Sequence, residues 1–270
     1  MADRIKTILI QEVKDLKTLL HEAARSGAYI YPFKGIVYFL THRSLWRPLM
    51  SKISPTISLG LLVTGTMFFF TYVPQVALLA FTSGPLAPFS AILLVLSESS
   101  TITNYISRGF ILQDSLVDAF DGTLVARGDT ALVARQRTVK MGGSLDPMAR
   151  LGSAIRMPLA KFSLASLVRS LMYLPLNMIP VVGTVIYVIT QGKRLGPLSH
   201  ERYFQLKGWD SRKKEEWVGT HRAAYTSFGA AAFVLEMVPF ASLAFSFTNT
   251  VGAALWASNL EKSISEKKEG

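Results

Sequence analysis

Three charged side chains interrupt long apolar stretches of the sequence and are its clearest candidates for chemistry: Glu98, Arg169 and Glu236. A charge at the centre of a membrane helix costs about 2.5–3.5 kcal/mol on insertion scales, so such residues usually have a partner or a function. Arg169 could pair with either glutamate or bind an anion. For Glu98, an ion or proton ligand and a polar contact between helices both stay open, and the contact is favoured.

Other ionisable residues lack the spacing that catalysis or metal binding requires. The histidines are scattered, and no two stand at ligand spacing: His21, His42, His200 and His221. His200 and Glu201 are interpreted as a solvated loop pair. Asp114, Asp118 and Asp121 recur at i, i+4 and i+7 on one helical face. A cation could bind there, but a solvated acidic face is favoured.

Sequence motifs of common enzymes and metal sites are also missing. The sequence contains no HExxH, Walker, GxSxG or EF-hand pattern. It has no cysteine, which excludes disulfides and thiolate metal sites. We therefore expect no enzymatic activity, no catalytic residue, no cofactor and no metal.

Composition indicates a membrane protein with basic loops. Half of the 270 residues are hydrophobic, and the formal net charge is +11. In a soluble protein that charge would suggest nucleic acid, but no nucleic-acid-binding module is present. The expected partners are therefore membrane lipids with anionic headgroups, and no nucleic acid is expected.

The stretch from Leu174 to Gly196 is apolar but is interrupted by Pro175 and Pro180. Only twelve residues separate Pro180 from Lys193, which is about 18 Å of helix against a ~30 Å hydrocarbon core. A hairpin that enters the membrane and returns is favoured over one straight span. A helix N-terminus at its tip would offer N–H groups to an anion, so Pro180 and Gly183 join Arg169, Glu98 and Glu236 as a candidate polar or anion site.

Three further stretches are long enough to cross a membrane. Residues 56–81 carry no charge over 26 positions, and residues 86–106 return after a tight turn at 82–85. Residues 223–260 are apolar except for Glu236 and could form one kinked span or another hairpin. Small residues recur every four positions there and predict close helix packing; they are Ala223, Ser227 and Ala231, then Ala244, Thr248 and Gly252.

The N-terminal region has the pattern of an interfacial segment. Residues 2–26 predict an amphipathic helix, which packs either on the protein's own cytosolic face or in the membrane plane. The N-terminus lacks the pattern of a secretory signal. Residues 28–52 mix aromatic and basic side chains, as at membrane interfaces. Trp46, Arg43 and Arg47 are the predicted anchors, with an ordinary core position as the alternative for Trp46.

The distribution of positive charge sets the expected topology. Lys and Arg number nine in residues 1–55, eight in 107–163, eight in 193–222 and three in 261–270. The positive-inside rule places all four segments and both termini in the cytosol.

The prediction is an all-α integral membrane protein with interfacial helices. The domains are a 1–55 N-terminal region, a 56–260 membrane domain and a disordered 261–270 tail. The membrane domain comprises a transmembrane hairpin (56–106), cytosolic helices (107–163), two proline-broken re-entrant hairpins (164–192, 223–260) and a basic loop (193–222). A homo-oligomer is a further expectation.

Several short motifs resemble the etoposide-induced-protein/CysZ-like membrane family. They are Ile179-Pro-Val-Val-Gly183, Gln191-Gly-Lys-Arg-Leu-Gly196, His200-Glu-Arg-Tyr-Phe204, Val238-Pro-Phe, Phe33-Lys-Gly-Ile and Ser44-Leu-Trp-Arg-Pro48. The long middle segment is most similar to fungal members linked to lipid droplets and the outer spore wall. The resemblance implies a structural or lipid-related role in endoplasmic reticulum or droplet membranes, and a part in spore-wall formation.

The same resemblance carries a second expectation, because bacterial members of the family are sulfate permeases. They combine two full spans with hairpins that penetrate part-way. Their anion site includes a Gly-Leu-Arg motif, but the corresponding residues here are Gly35, Ile36 and Val37. The arginine is missing, and Lys34 and Arg43 are the candidates to replace it. Sulfate-like anion transport is therefore the alternative function.

Overall fold

The computed structural model of the chain describes residues 21–139, 146–154, 182–238 and 241–269. This part of the chain is predominantly helical, with residues 21–26 forming the described end of the amphipathic N-terminal segment. The helices are α1 (Ile30–Thr41), α2 (Trp46–Ser83), α3 (Ala87–Ile106), α4 (Gln113–Ala126), α5 (Thr130–Val133), α6 (Val182–Ser199), α7 (Glu201–Leu206), α8 (Ser211–Thr220), α9 (Arg222–Glu236) and α10 (Ser242–Glu269).

The chain divides into two compact units, residues 47–116 and a larger unit of residues 1–46 with 117–270. Among the described residues, two helical stretches are long and apolar enough to cross a membrane, Arg43–Phe81 and Gly84–Ile111. All but the first four residues of these stretches lie in the smaller unit. The 38 residues of α2 extend about 57 Å, well beyond a ~30 Å hydrocarbon core. A 3-10 turn at Gly84–Leu86 joins α2 to α3. The two apolar helices expected at 56–106 are thus present, and their insertion as a hairpin stays a prediction.

The two faces of this helix pair differ in the way that a membrane protein requires. α3 buries small side chains at four-residue spacing: Ala87, Ala91, Val95 and Ser99. The outer faces carry large apolar side chains in the open, with Phe69 80% and Phe81 90% exposed. Exposed apolar surface of this extent is typical of a face covered by lipid or by another protein.

In the larger unit, α6 and α9 cross with their backbones in contact. Gly192 and Gly196 stand four residues apart on α6 and face Gly229 of α9. A Cβ atom on Gly196 would overlap the carbonyl oxygen of Tyr225, and one on Gly229 would lie 2.5 Å from the backbone nitrogen of Gly196. Glycines at this spacing let helices approach as closely as they do here.

A second crossing joins α1 to α10, at opposite ends of the described chain. A Cβ atom on Gly35 would lie 2.6 Å from the backbone nitrogen of Gly252 and would overlap the carbonyl oxygen of Thr248. The predicted stripe that contains Thr248 and Gly252 therefore lies at a close helix contact. On α9 the small residues that meet α6 are Thr226, Gly229 and Ala230. They lie on a different face of the helix from the predicted stripe that contains Ser227.

Two segments differ from the predicted architecture. Within 107–163 the structure contains two short antiparallel strands, β1 (Arg137–Val139) and β2 (Leu151–Ala154), where only helices were expected. Residues 223–260 contain α9 and the first part of α10, so of the two alternatives the single kinked span is wrong, while the re-entrant hairpin stays a prediction. The 261–270 tail, predicted to be disordered, is helical to Glu269, because α10 continues through it and Glu261 is held by Lys207 at 2.9 Å.

Candidate functional site

The predicted polar site is only partly within the described residues. Arg169 and Pro180 lie outside them, as does most of the 164–192 hairpin, and Gly183 is the second residue of α6. Glu98 belongs to the smaller unit and Glu236 to the larger unit. The anion site predicted from these five residues thus stays a prediction.

Glu98 has a partner on the neighbouring apolar helix. The side-chain amide of Gln75 on α2 donates a hydrogen bond of 2.8 Å to Oε2 of Glu98 on α3. In an apolar medium such a bond offsets part of the cost of burying both groups. This is the kind of contact favoured for Glu98 from the sequence, while a role as an ion ligand stays a prediction.

Glu236 also contacts an amide, at the C-terminal end of α9. The side chain of Asn249 on α10 donates to Oε1 of Glu236 and to the carbonyl oxygen of Ala232, both at 3.0 Å. One amide group therefore joins the end of α9 to α10. The arrangement connects two helices, while the part of Glu236 in a polar or anion site stays a prediction.

The predicted interfacial anchors lie around the start of α2. The indole Nε1 of Trp46 donates to the carbonyl oxygen of Phe39 at 2.7 Å, and the two rings stack at 6.3 Å between centroids. The Trp46 side chain is nevertheless 36% exposed, which suits an amphipathic ring at a membrane interface. Arg43 and Arg47 are both exposed.

A buried polar cluster that the sequence did not predict surrounds His200. His200 is 0% exposed, so the expected solvated loop pair is wrong. Its ring is packed among aromatic side chains, with Trp256 at 4.5 Å and Tyr225 at 5.4 Å between centroids. The short break between α6 and α7 places this histidine in the middle of the core and not on its surface.

The hydrogen bonds of this cluster have only one consistent direction. Nε2 of His200 lies 2.9 Å from the carbonyl oxygen of Ala253, which can only accept, so Nε2 carries the proton. Nδ1 then accepts from the Tyr225 hydroxyl at 3.0 Å. That hydroxyl oxygen in turn accepts from Nε1 of Trp217 at 3.1 Å. The relay joins the break between α6 and α7 to α8, α9 and α10 through neutral groups.

Burial fixes the protonation states in this relay. It lowers the pKa of His200 to about 4, against the weaker opposing effect of the hydrogen bond to Ala253. Burial also raises the pKa of the Tyr225 hydroxyl. His200 is therefore neutral at pH 7, as the direction of the hydrogen bonds requires.

Asp121 is the centre of a second buried cluster, made of charged residues. Its carboxylate is 0% exposed and accepts from Nε of Arg202 at 2.9 Å and from Nη2 at 2.7 Å, the bidentate geometry of a strong ion pair. Nη1 of Arg137 lies 3.3 Å from the same carboxylate and 2.7 Å from Asp118, which is 38% exposed. The solvated acidic face predicted for these aspartates is wrong for Asp121. Asp114 is exposed.

Both clusters are saturated by their own members. The histidine has both ring nitrogens bonded, and the aspartate has an arginine on each side. Such groups stabilise and orient helices. Within the described residues, no group of three or more His, Cys, Asp or Glu side chains is arranged to hold a metal ion.

A groove on the surface of the larger unit is wide enough to hold a small ligand. An open groove of about 530 Å³ lies between α1, α10 and the residue that follows α4. Lys34 and Arg127 are its charged residues, and Val37 and Leu255 are among its apolar ones. The sequence indicated the interfacial character of α1, but not this groove, because Arg127 and Leu255 are brought to α1 only by the fold.

Comparison with known proteins finds yeast relatives along most of the chain. Over 266 residues the chain is 26% identical to outer spore wall protein RRT8 of Saccharomyces cerevisiae, covering 93% of this chain and 78% of that protein. It is 23% identical to outer spore wall protein LDS1 of the same yeast over 242 residues, covering 89% and 73%.

The family assignment rests on a match over most of the chain. Residues 31–246, from α1 into α10, match the family model described as sulfate transporter CysZ/etoposide-induced protein 2.4. The matched region contains both apolar helices, the Asp121 cluster and the α6–α9 crossing. It includes His200 but not Ala253 and Trp256, which complete the His200 cluster. The chain belongs to the sulfate transporter CysZ/etoposide-induced protein 2.4 family.

Proposed function

We propose that the protein is a non-enzymatic membrane protein of the endoplasmic reticulum and lipid droplets, with a structural or lipid-related role in spore-wall formation. The spore-wall part of the proposal is supported by the two yeast relatives, both named outer spore wall proteins. The lipid-related part is supported by the surface of α1.

Helix α1 is the observation that carries the proposal. Its inner face, with Gly35 and Phe39, packs into the larger unit. Its outer face is also apolar, with Phe33 50%, Val37 64% and Leu40 60% exposed. A helix that is apolar on both faces needs a cover other than water. A membrane interface or a lipid monolayer supplies that cover.

Localisation under lipid loading tests the proposal directly. The fluorescently tagged protein should move to the rims of lipid droplets when cells are fed a fatty acid, and it should be recovered in the buoyant fraction. Replacing Phe33, Val37 and Leu40 by serine should lower the droplet fraction several-fold. A control with Arg212, Glu216 and Thr220 replaced by serine changes three exposed residues of α8 without changing net charge and should behave as wild type.

The spore-wall role has a separate readout. Sporulating cells that lack the protein should form spores that are more permeable to a small dye, and the wild-type gene should restore the barrier. A normal spore barrier in its absence would contradict the role. If the protein stays in bilayer membranes alone when cells are fed a fatty acid, that result would contradict droplet association.

Anion transport is the second candidate, and a basic pocket favours it. A pocket of about 360 Å³ between α6, α8 and α9 is lined by Lys193, Lys214 and Arg222 together with one acid, Glu215. The pair Glu98–Gln75 on the apolar helices points the other way, because a carboxylate repels anions. Transport predicts uptake of radiolabelled sulfate into proteoliposomes that is lost on Arg169→Ala. Uptake equal to that of empty liposomes would eliminate it.

A further inference from the structure

The groove beside α1 combines two cations with an apolar wall. Lys34 and Arg127 both line it, and no Asp or Glu is among its described lining residues. At about 530 Å³ it falls within the ~300–1,000 Å³ range of small-ligand clefts. Its electrostatic character is therefore positive without a local countercharge, which suits an anionic group.

Both cations are oriented by the same tyrosine–asparagine pair. Nζ of Lys34 lies 5.1 Å from the centroid of the Tyr31 ring, a cation–π contact. The Tyr31 hydroxyl accepts from Nδ2 of Asn259 at 2.9 Å, and Oδ1 of Asn259 accepts from Nη2 of Arg127 at 3.3 Å. A continuous set of contacts thus links the two charged side chains.

The apolar residues of the groove continue onto the outer surface of α1. Leu255 is buried to 8% exposure, while Val37 and Phe33 are half-exposed or more. These two belong to the same exposed stripe that we propose to face lipid. A molecule in the groove would therefore have an anionic end near Lys34 and Arg127 and an apolar end in contact with the membrane interior.

We infer that this groove binds one anionic phospholipid, with its phosphate between Lys34 and Arg127 and an acyl chain against Val37 and Leu255. The inference deepens the proposed lipid-related role and rests on it. A soluble anion would use only the cationic end. A zwitterionic lipid would bring a positive choline group towards two cations, so the groove selects net negative headgroups.

Binding of short-chain lipids to the full-length protein in detergent tests the inference. The probes are dihexanoyl phosphatidylserine, dihexanoyl phosphatidylcholine and inorganic phosphate, each titrated and followed by native mass spectrometry. Phosphatidylserine should bind at least tenfold more tightly than phosphatidylcholine. The double variant Lys34→Gln/Arg127→Gln should lose at least tenfold in affinity for it, because each cation near an anionic lipid contributes about 1 kcal/mol, or roughly fivefold.

Two matched variants separate the groove from general surface charge. Arg212→Gln/Lys213→Gln removes two exposed cations from α8 and should change affinity by less than twofold. Val37→Ser keeps both charges and should weaken phosphatidylserine binding severalfold. Equal losses in the two charge variants would overturn the inference, as would phosphate binding as tight as the lipid. If Lys34→Gln/Arg127→Gln loses lipid binding but still localises normally to droplets, the proposed function stands. The groove then binds the lipid but does not anchor the protein to the droplet.

Discussion

Nδ1 of His200 accepts a hydrogen bond of 3.0 Å from the hydroxyl of Tyr225, and both side chains are buried in the core. The bond requires a neutral imidazole. Since Nε2 is committed to the carbonyl oxygen of Ala253, protonation of Nδ1 would place two donors face to face unless the Tyr225 hydroxyl rotated. The stability of the larger unit is thereby linked to pH.

We expect the protein to lose stability as pH falls from about 6.5 to 4. The folded pKa of His200 is lowered to about 4, so the unfolded chain binds the proton first as pH falls. The contribution is complete above pH 6.5 and lost below pH 4, and its size is about 3 kcal/mol. The midpoint of thermal unfolding in detergent should depend less steeply on pH for His200→Gln than for the wild type. An unchanged slope would contradict the assignment.

Tyr225→Phe should destabilise the protein by about 1–3 kcal/mol. The change leaves Nε1–H of Trp217 and Nδ1 of His200 without their shared partner, while the ring volume stays almost constant. Tyr203→Phe is the control, since that hydroxyl bonds to Glu261, which is 22% exposed and also paired with Lys207. Chemical denaturation should rank Tyr225→Phe as the more severe change.

Asp121→Ala should be among the most destabilising single changes in the larger unit, at about 3–5 kcal/mol. It leaves Arg202 and Arg137 buried, with side chains 5% and 8% exposed, facing an empty site. Asp118→Ala, three residues earlier on the same helix, removes a carboxylate that is 38% exposed and should cost about 1 kcal/mol or less. Similar losses for the two variants would show that the Asp121 pair is not buried in solution.

Two glycine substitutions should have opposite signs. Gly196→Ala should destabilise by several kcal/mol, because the new Cβ overlaps the backbone of Tyr225. Gly219→Ala meets no atom within 4 Å on α8 and should stabilise by about 0.5–1 kcal/mol through helix propensity. The midpoint of thermal unfolding measures both effects. A neutral Gly196→Ala would disprove the close crossing of α6 and α9.

Glu98→Gln should be tolerated, whereas Glu98→Ala should weaken the α2–α3 pair by about 0.6–2 kcal/mol. The glutamine can still accept from the Gln75 amide, and the alanine cannot. Unfolding of the reconstituted protein in a denaturing detergent measures this difference. If Glu98 is an ion ligand instead, both variants should lose the same ion-dependent activity. The hydrogen bond to Gln75 would then not be the main role of Glu98.

Properties determined by neighbouring residues could be predicted from the sequence. The uncharged run from 56 to 81 and the small residues at 248 and 252 act within one helix, where composition and spacing are sufficient. His200 is different, because the polar sequence around it is typical of a loop. Its burial depends on Ala253 and Tyr225, which are distant in the chain and are brought to it by folding.

Asp121 illustrates the same limit for charged residues. Helical spacing correctly grouped it with Asp118, but spacing cannot reveal that Arg202, 81 residues away, lies opposite. The groove beside α1 likewise needs contributions from three distant segments. Pairings of this kind are long-range, and a single sequence contains no periodic signal for them.

The pairing of α1 with α10 also determines when the protein can fold. Tyr31 and Asn259 are 228 residues apart, which at ~5–20 residues per second is roughly 10–45 s of ribosomal synthesis. During that interval α1 has left the ribosome with both apolar faces uncovered. The newly made chain must therefore be sheltered by a membrane surface or a chaperone, and the larger unit can close only after translation of α10 is complete.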